Sequence, residues 1–166
     1  DIELPSTYIP STSSTLYGKS WHFYFAYDND TFSNLATSNY NILVYDNPWQ
    51  DWVVKKATDN GKIVFGYISC GSSEKGRSDY NELKEFNEKS YSGYPNEKWL
   101  DLDRWKEYIH VMYMRIDNIK ALGYTGFYCD NSEPYLEEVG TIKANIEYIT
   151  SIANYAHSKG LLFGIN

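Results

Sequence analysis

Acidic residues recur at the ends of short apolar runs in this 166-residue chain. They are Asp28-Asn29-Asp30, Asp46-Asn47-Pro48, Glu74 just after Cys70-Gly71, and Asp130-Asn131-Ser132-Glu133. Carboxylates brought together from several segments repel one another, so at least one should be raised in pKa and hold a proton near neutrality. A protonated acid beside an ionised one is the equipment of glycoside hydrolysis: one protonates the leaving oxygen while the other attacks or activates water. The same grouping could hold a hard cation such as calcium or magnesium, although our reading assigns no metal and no cofactor. Each residue also has a plainer role. Asp28 and Asp46 could cap the helices that follow, as could Asp130–Pro134. Glu74 could be a solvated loop acid, and Arg77 either a surface residue or a guanidinium that fixes a carboxylate or sugar hydroxyls.

The elements that must position these residues alternate strand and helix. Strands are predicted at Trp21–Tyr27, Tyr40–Tyr45, Lys62–Ser69, Tyr124–Cys129 and Leu161–Ile165. All are short and nearly continuously apolar, as in a parallel sheet covered on both faces. Helices are predicted at Trp49–Asn60, Asp103–Leu122 and Leu136–Lys159, closed by Gly61, Gly123 and Gly160, with a weak helix in Thr31–Asn39. A long polar excursion, Gly71 to Leu100, separates the third strand from its helix, and connections of that length are usually functional. Within it, Trp99 reads as a packing anchor.

In parallel α/β folds the ligand lies at the carboxyl ends of the strands. Counting back by two groups Asp130 with Tyr128 and Gly126, Ser69 with Tyr67, Asp46 with Val44 and Ile42, and Asp28 with Ala26 and Tyr24. Three aspartates and Glu74 are thereby expected at one mouth, among tyrosines. Alternation alone allows either an open five-stranded sheet or part of a closed barrel. An eight-fold barrel takes about 250 residues, so five strands would be an incomplete one. Its last strand would leave an apolar edge for a missing C-terminal part of the barrel, or a second chain, to cover.

Composition narrows the function classes. The net charge of −7 argues against nucleic acid as the main partner. No apolar run approaches the roughly 20 residues of a membrane span. Seventeen tyrosines and five tryptophans suit stacking on sugar rings, though tyrosine also fills cores. Cys70 and Cys129 make no disulfide framework; on neighbouring strands they could be close enough to cross-link, but the expected state is two reduced, buried thiols. His22, His110 and His157 lack metal-ligand spacing. Asp1 to Leu16 reads as an extended lead-in before a single domain over 17–166, and Asn29-Asp30-Thr31 is a glycosylation sequon. The scarcity of Cys beside abundant Asn, Ser, Thr and Tyr points to an extracellular or cell-surface location.

Five stretches in order resemble glycoside hydrolase family 114, the endo-α-1,4-polygalactosaminidase-like proteins. They are Gly61–Glu74 through Arg77, then Trp99-Leu100-Asp101, then Arg115-Ile116-Asp117, then Gly123–Asn131, and finally Leu161–Asn166 with Asn145 and Tyr155-Ala156 before it. The resemblance implies a (β/α) TIM-type barrel, here about five of eight strands, and an endo-acting glycosidase that cleaves an α-1,4-linked galactosamine-rich polysaccharide outside the cell. It implies that Asp130 is a catalytic carboxylate, the acid/base. Asp46, Tyr67, Glu74 and Arg77 would line the mouth with Tyr128, Asn131 and Glu133, and the second catalytic acid would lie beyond Asn166. The alternative is a non-catalytic carbohydrate-binding module of the same fold.

Overall fold

The computed structural model of the chain describes residues 16, 18–25, 28–46 and 51–166. The main sheet contains β1 (Trp21–Tyr24), β2 (Ile42–Tyr45), β3 (Ile63–Ser69), β7 (Gly126–Asp130) and β8 (Leu162–Ile165), in the order β1-β2-β3-β7-β8. All its pairings are parallel, and the register runs Tyr24↔Tyr45, Tyr45↔Gly66, Tyr67↔Tyr128, Ser69↔Asp130 and Tyr128↔Gly164. An open doubly wound sheet reverses its strand order at a switch point. This order never reverses, which is the topology of a barrel wall.

Curvature confirms that the sheet is an arc of a barrel. Phe23 of β1 meets Tyr128 of β7 edge to face at 4.9 Å between ring centroids, although β2 and β3 lie between their strands. Three spacings of about 4.8 Å separate those strands in a flat sheet, so the rings can meet only across a concave face. Registered neighbours share that face: Phe23 with Val44, Phe65 with Gly126, and Tyr67 with Tyr128. A Cβ on Gly126 would stand 2.8 Å from the Phe65 ring.

The convex face carries the helices α1 (Asn29–Ala36), α2 (Asp51–Asp59), α4 (Trp105–Ala121) and α5 (Ile142–Ser158). Val54 and Ala57 of α2, Met112, Ile116 and Ile119 of α4, and Tyr148, Ile152 and Ala156 of α5 are buried against Leu43, Val64, Ile68 and Phe127 of the strands. Each large side chain so buried contributes roughly 1.5–3 kcal/mol. Helix α4 lies so close to β3 that a Cβ on Gly66 would meet Ile119 Cδ1 at 2.7 Å. Cys70 and Cys129 are buried free thiols on this side.

Three expectations need correction. The helix over Leu136–Lys159 is two pieces: a 3-10 turn, Pro134–Glu137, and then α5 from Ile142. Gly140 at φ 75° separates them, and Thr141 restarts the helix by accepting the Ala144 amide at 3.2 Å. The helix over Asp103–Leu122 likewise begins as a 3-10 turn, Leu102–Arg104. The polar excursion is not irregular. It folds into β4 (Ser72–Glu74), the short helix α3 (Tyr80–Leu83), β5 (Asn87–Ser90) and β6 (Glu97–Leu100), whose strands form an antiparallel sheet in the order β4-β6-β5. Trp99 is its buried anchor, stacked on Tyr91 at 4.5 Å. The expected cap at Asn47-Pro48, and the lead-in apart from Leu16, lie outside the described residues.

Candidate active site

Asp130 ends β7 on the concave face. Its Oδ2 accepts the Tyr67 hydroxyl at 2.5 Å and its Oδ1 accepts the Asn166 side-chain amide at 2.8 Å. Both donors come from positions that register and alternation place on the same face. Burial and the hydrogen bond to Asp130, followed by the charges of Asp130, Glu97 and Asp46, hold the Tyr67 phenol far above its ordinary range. Tyr67 therefore stays a neutral donor near neutral pH. Tyr128, its registered neighbour, is raised by burial and by Asp130.

Asp46 and Glu74 meet on Arg77. The guanidinium reaches Asp46 through Nη1 at 3.2 Å and Nη2 at 3.3 Å, while its Nε donates to Glu74 Oε2 at 2.8 Å. Burial alone would lower the Arg77 pKa. Hydrogen bonds and charge from Asp46, with those from Glu74, outweigh it and hold the group well above its usual value. Arg77 thus fixes carboxylates, one of the two roles that its position after Glu74 left open. Behind it, Arg115 of α4 donates to both oxygens of Asp79, at 2.6 and 2.9 Å, and to the Ser69 carbonyl at 2.7 Å. Burial pushes Asp79 up, but the Arg115 hydrogen bonds and charge prevail and leave it below the ordinary carboxylate value. These groups, with Tyr67 and Ser69, border a cleft of about 330 Å³. Asp130 is not among the residues that border it, but Tyr67, which does, bonds Asp130.

Asn131 follows Asp130 with φ at 52°, a left-handed conformation that asparagine tolerates better than most residues. That turn breaks the strand alternation. The Asn131 amide nitrogen donates to Ser69 Oγ at 2.7 Å, Ser72 Oγ at 3.2 Å and Glu97 Oε1 at 3.2 Å, and its oxygen accepts the Tyr91 hydroxyl at 2.9 Å.

Two predicted residues stand apart. Asp28 is a helix cap: it accepts the backbone amides of Asp30 at 3.2 Å and Thr31 at 2.9 Å, as well as the Thr31 hydroxyl. Those bonds hold its pKa low. Of the two roles the sequence left open for it, a place in the acidic mouth or a cap, the structure shows the cap, because Thr31 lies within immediate reach. Glu133 precedes the 3-10 turn, is exposed and makes no capping bond.

Sequence reasoning passed over Glu97. It opens β6 directly opposite Glu74, and its pKa is raised: burial leads, the Ser72 hydrogen bond opposes it, and the Glu74 charge adds to it. The raised carboxyl thus lies outside the acids named from the sequence, and burial rather than repulsion is its first cause. The available signal was the parity of Glu97-Lys98-Trp99, which puts Glu97 on the side of the buried Trp99. Among the described residues no group of three or more His, Cys, Asp or Glu is arranged to hold a metal ion, and no helix is long and apolar enough to cross a membrane.

The family model for Glycoside-hydrolase family GH114 matches residues 7–166. An uncharacterised protein of Methanocaldococcus jannaschii is 25% identical over 158 residues, covering 82% of this chain and 46% of that protein. The crystal structure of Aspergillus fumigatus Ega3 in complex with galactosamine superposes with a TM-score of 0.84 at 24% identity, over 95% of this chain and 63% of that one. The glycoside hydrolase domain of PelA from Pseudomonas aeruginosa gives a TM-score of 0.66 at 16% identity, over 89% of this chain and 59% of that one. The chain thus spans about half the length of its curated relative and under two thirds of these two structures.

Proposed function

From the premise that the chain belongs to glycoside-hydrolase family GH114, we propose that it serves the hydrolysis of an α-1,4-linked, galactosamine-rich polysaccharide, with Asp130 as the acid/base carboxylate. The observation that carries this reading is the setting of Asp130. It stands at a strand end on the concave face, and two neutral donors, Tyr67 and Asn166, fix both its oxygens. Such a carboxyl is held in one orientation yet compensated by no salt bridge among the described residues. It is therefore free to exchange a proton with a glycosidic oxygen. Asp46, Glu74 and Arg77 form the adjoining rim, with Tyr128 below Asp130 on the same face, and Asn131, next to Asp130, bonds Ser69 at the end of β3. Glycoside hydrolysis requires a second carboxylate, about 5–9.5 Å from the first. We place the protein outside the cell, where a polysaccharide substrate is met.

The test is release of reducing ends from a galactosamine oligomer by the intact protein and by Asp130→Asn. The variant should lose about a hundredfold or more in rate while still binding the oligomer. Full activity in that variant would remove Asp130 from the reaction. Oligomer binding by the wild type with no reducing ends released would instead identify a sugar-binding module.

A further inference from the structure

Glu97 belongs to none of the parallel strands, yet it joins three elements of the mouth. Its Oε1 accepts from Ser72 Oγ of β4, from Ser69 Oγ at the end of β3 at 3.4 Å, and from Asn131 Nδ2 after β7 at 3.2 Å. Ser69 and Asn131 also bond each other at 2.7 Å. The Tyr91 hydroxyl fixes the orientation of the Asn131 amide from the other side. Asn131 immediately follows Asp130 and sits in a left-handed conformation whose local cost its side-chain bonds must offset. On the opposite side, the Asp130 carbonyl accepts the Cys70 amide at 2.8 Å. The peptide linking Asp130 to Asn131 is therefore held from both ends, and on the mouth side the acceptor that gathers the donors is Glu97.

We propose that Glu97 is the positioning residue of the candidate centre, acting through Asn131 and Ser69 to set where the Asp130 carboxylate stands. This rests on the function proposed above and deepens it. The antiparallel insert becomes a clamp: β6 lays one carboxylate oxygen across the ends of the two central barrel strands that carry Tyr67 and Asp130. Burial, countered by the Ser72 hydrogen bond and reinforced by the Glu74 charge, raises the proton affinity of Glu97. The charged and titratable groups around it are Glu74, Arg77, Tyr67, Tyr91 and Asp130. The function of Glu97 in the clamp is that of an acceptor, which glutamine can supply and alanine cannot.

The test compares Glu97→Gln with Glu97→Ala in the intact protein. On a galactosamine oligomer, Glu97→Ala should lower kcat about tenfold or more with KM within about threefold, and Glu97→Gln should restore most of kcat. In ¹³C and ¹⁵N NMR, Glu97→Ala should move the Asp130 carboxyl and Asn131 side-chain amide resonances, while Glu97→Gln leaves them near wild type. Kinetics of Glu97→Ala within twofold of wild type would overturn the proposal, as would a Gln variant impaired chiefly in KM. A wild type with no activity and no oligomer binding would overturn the proposed function. The positioning role would then stand or fall on the NMR arm, where unmoved Asp130 and Asn131 resonances in Glu97→Ala refute it.

Discussion

Replacing Arg115 with methionine should be among the most damaging single changes behind the rim of Asp46, Arg77 and Glu74. Arg115 and Asp79 are 13% and 11% exposed at their side chains, and two of the three guanidinium nitrogens bond the carboxylate at 2.6 and 2.9 Å. The third holds the Ser69 carbonyl. The methionine variant leaves Asp79 buried without the guanidinium that bonds it, with the weaker charge of Arg77 remaining, which costs about 3–5 kcal/mol. For a domain of this size that lowers Tm by roughly 6–20 °C. Substituting Asp79→Leu and Arg115→Met together removes both charges and should recover most of the loss, ending within about 1–2 kcal/mol of wild type. The pH dependence has a defined sign. The Asp79 pKa is depressed in the fold, so its stabilisation is fully present above the ordinary value of 3.8 and is lost as pH falls through the lower folded value. The gap between wild type and Arg115→Met should therefore be wide at pH 7 and close under acid conditions. Urea denaturation of the three proteins at pH 7 and below pH 4 measures all of this. A single variant within about 0.5 kcal/mol of wild type at pH 7, or a double variant worse than the single, would refute the reasoning.

Tyr67→Phe keeps the ring that packs on Phe25 at 5.0 Å but removes the donor to Asp130. A hydrogen bond to a charged group contributes about 1.5–3 kcal/mol, so Tm should fall by roughly 3–12 °C and kcat on a galactosamine oligomer about tenfold or more, and unchanged turnover would count against the geometry. Gly71→Ala would drive a Cβ into the Asn131 carbonyl oxygen and place it 2.6 Å from Pro134 Cγ. Backbone and ring cannot yield cheaply, so the loss should reach about 3 kcal/mol in urea denaturation, and a wild-type midpoint would contradict the close approach of the two strand ends.

The barrel strands were legible because each is an apolar run bounded by Gly, Asn or Asp, and the helices because their apolar stripes end at Gly61, Gly123 and Gly160. Boundaries were less so. The run from Leu136 to Lys159 keeps a helical period across Gly140-Thr141, and that period masks a stop and a fresh cap. The insert was illegible for a different reason. Asn87–Ser90 carries no apolar residue, and β6 has only Trp99 and Leu100. Its strands are specified by pairing with the extension of β3 beyond Gly71, a tertiary cause with no local pattern. Glu97 was lost with its strand. The carboxyl raised in pKa is Glu97, which was not among the strand-end acids named from the sequence, and burial is its first cause, so it could be located only once β6 was paired with β4.

Strand-end aspartates that look alike in sequence meet different fates, and the conformation of the next few residues decides between them. After Asp28 the chain enters a helix at once, so the carboxylate turns back onto the amides of Asp30 and Thr31 and is used locally. Asp46 is met by Arg77, thirty-one residues on, which the insert returns to the mouth. After Asp130 comes Asn131 in the left-handed region, which no ordinary helix start contains. That one residue stops the backbone from offering Asp130 a set of cap amides, and its own side chain turns toward the insert instead. Asp130 is consequently left to the side chains of Tyr67 and Asn166. A carboxylate released from capping by the conformation of its successor is held by side chains of neighbouring strands, so a substitution there leaves no helix start without its cap.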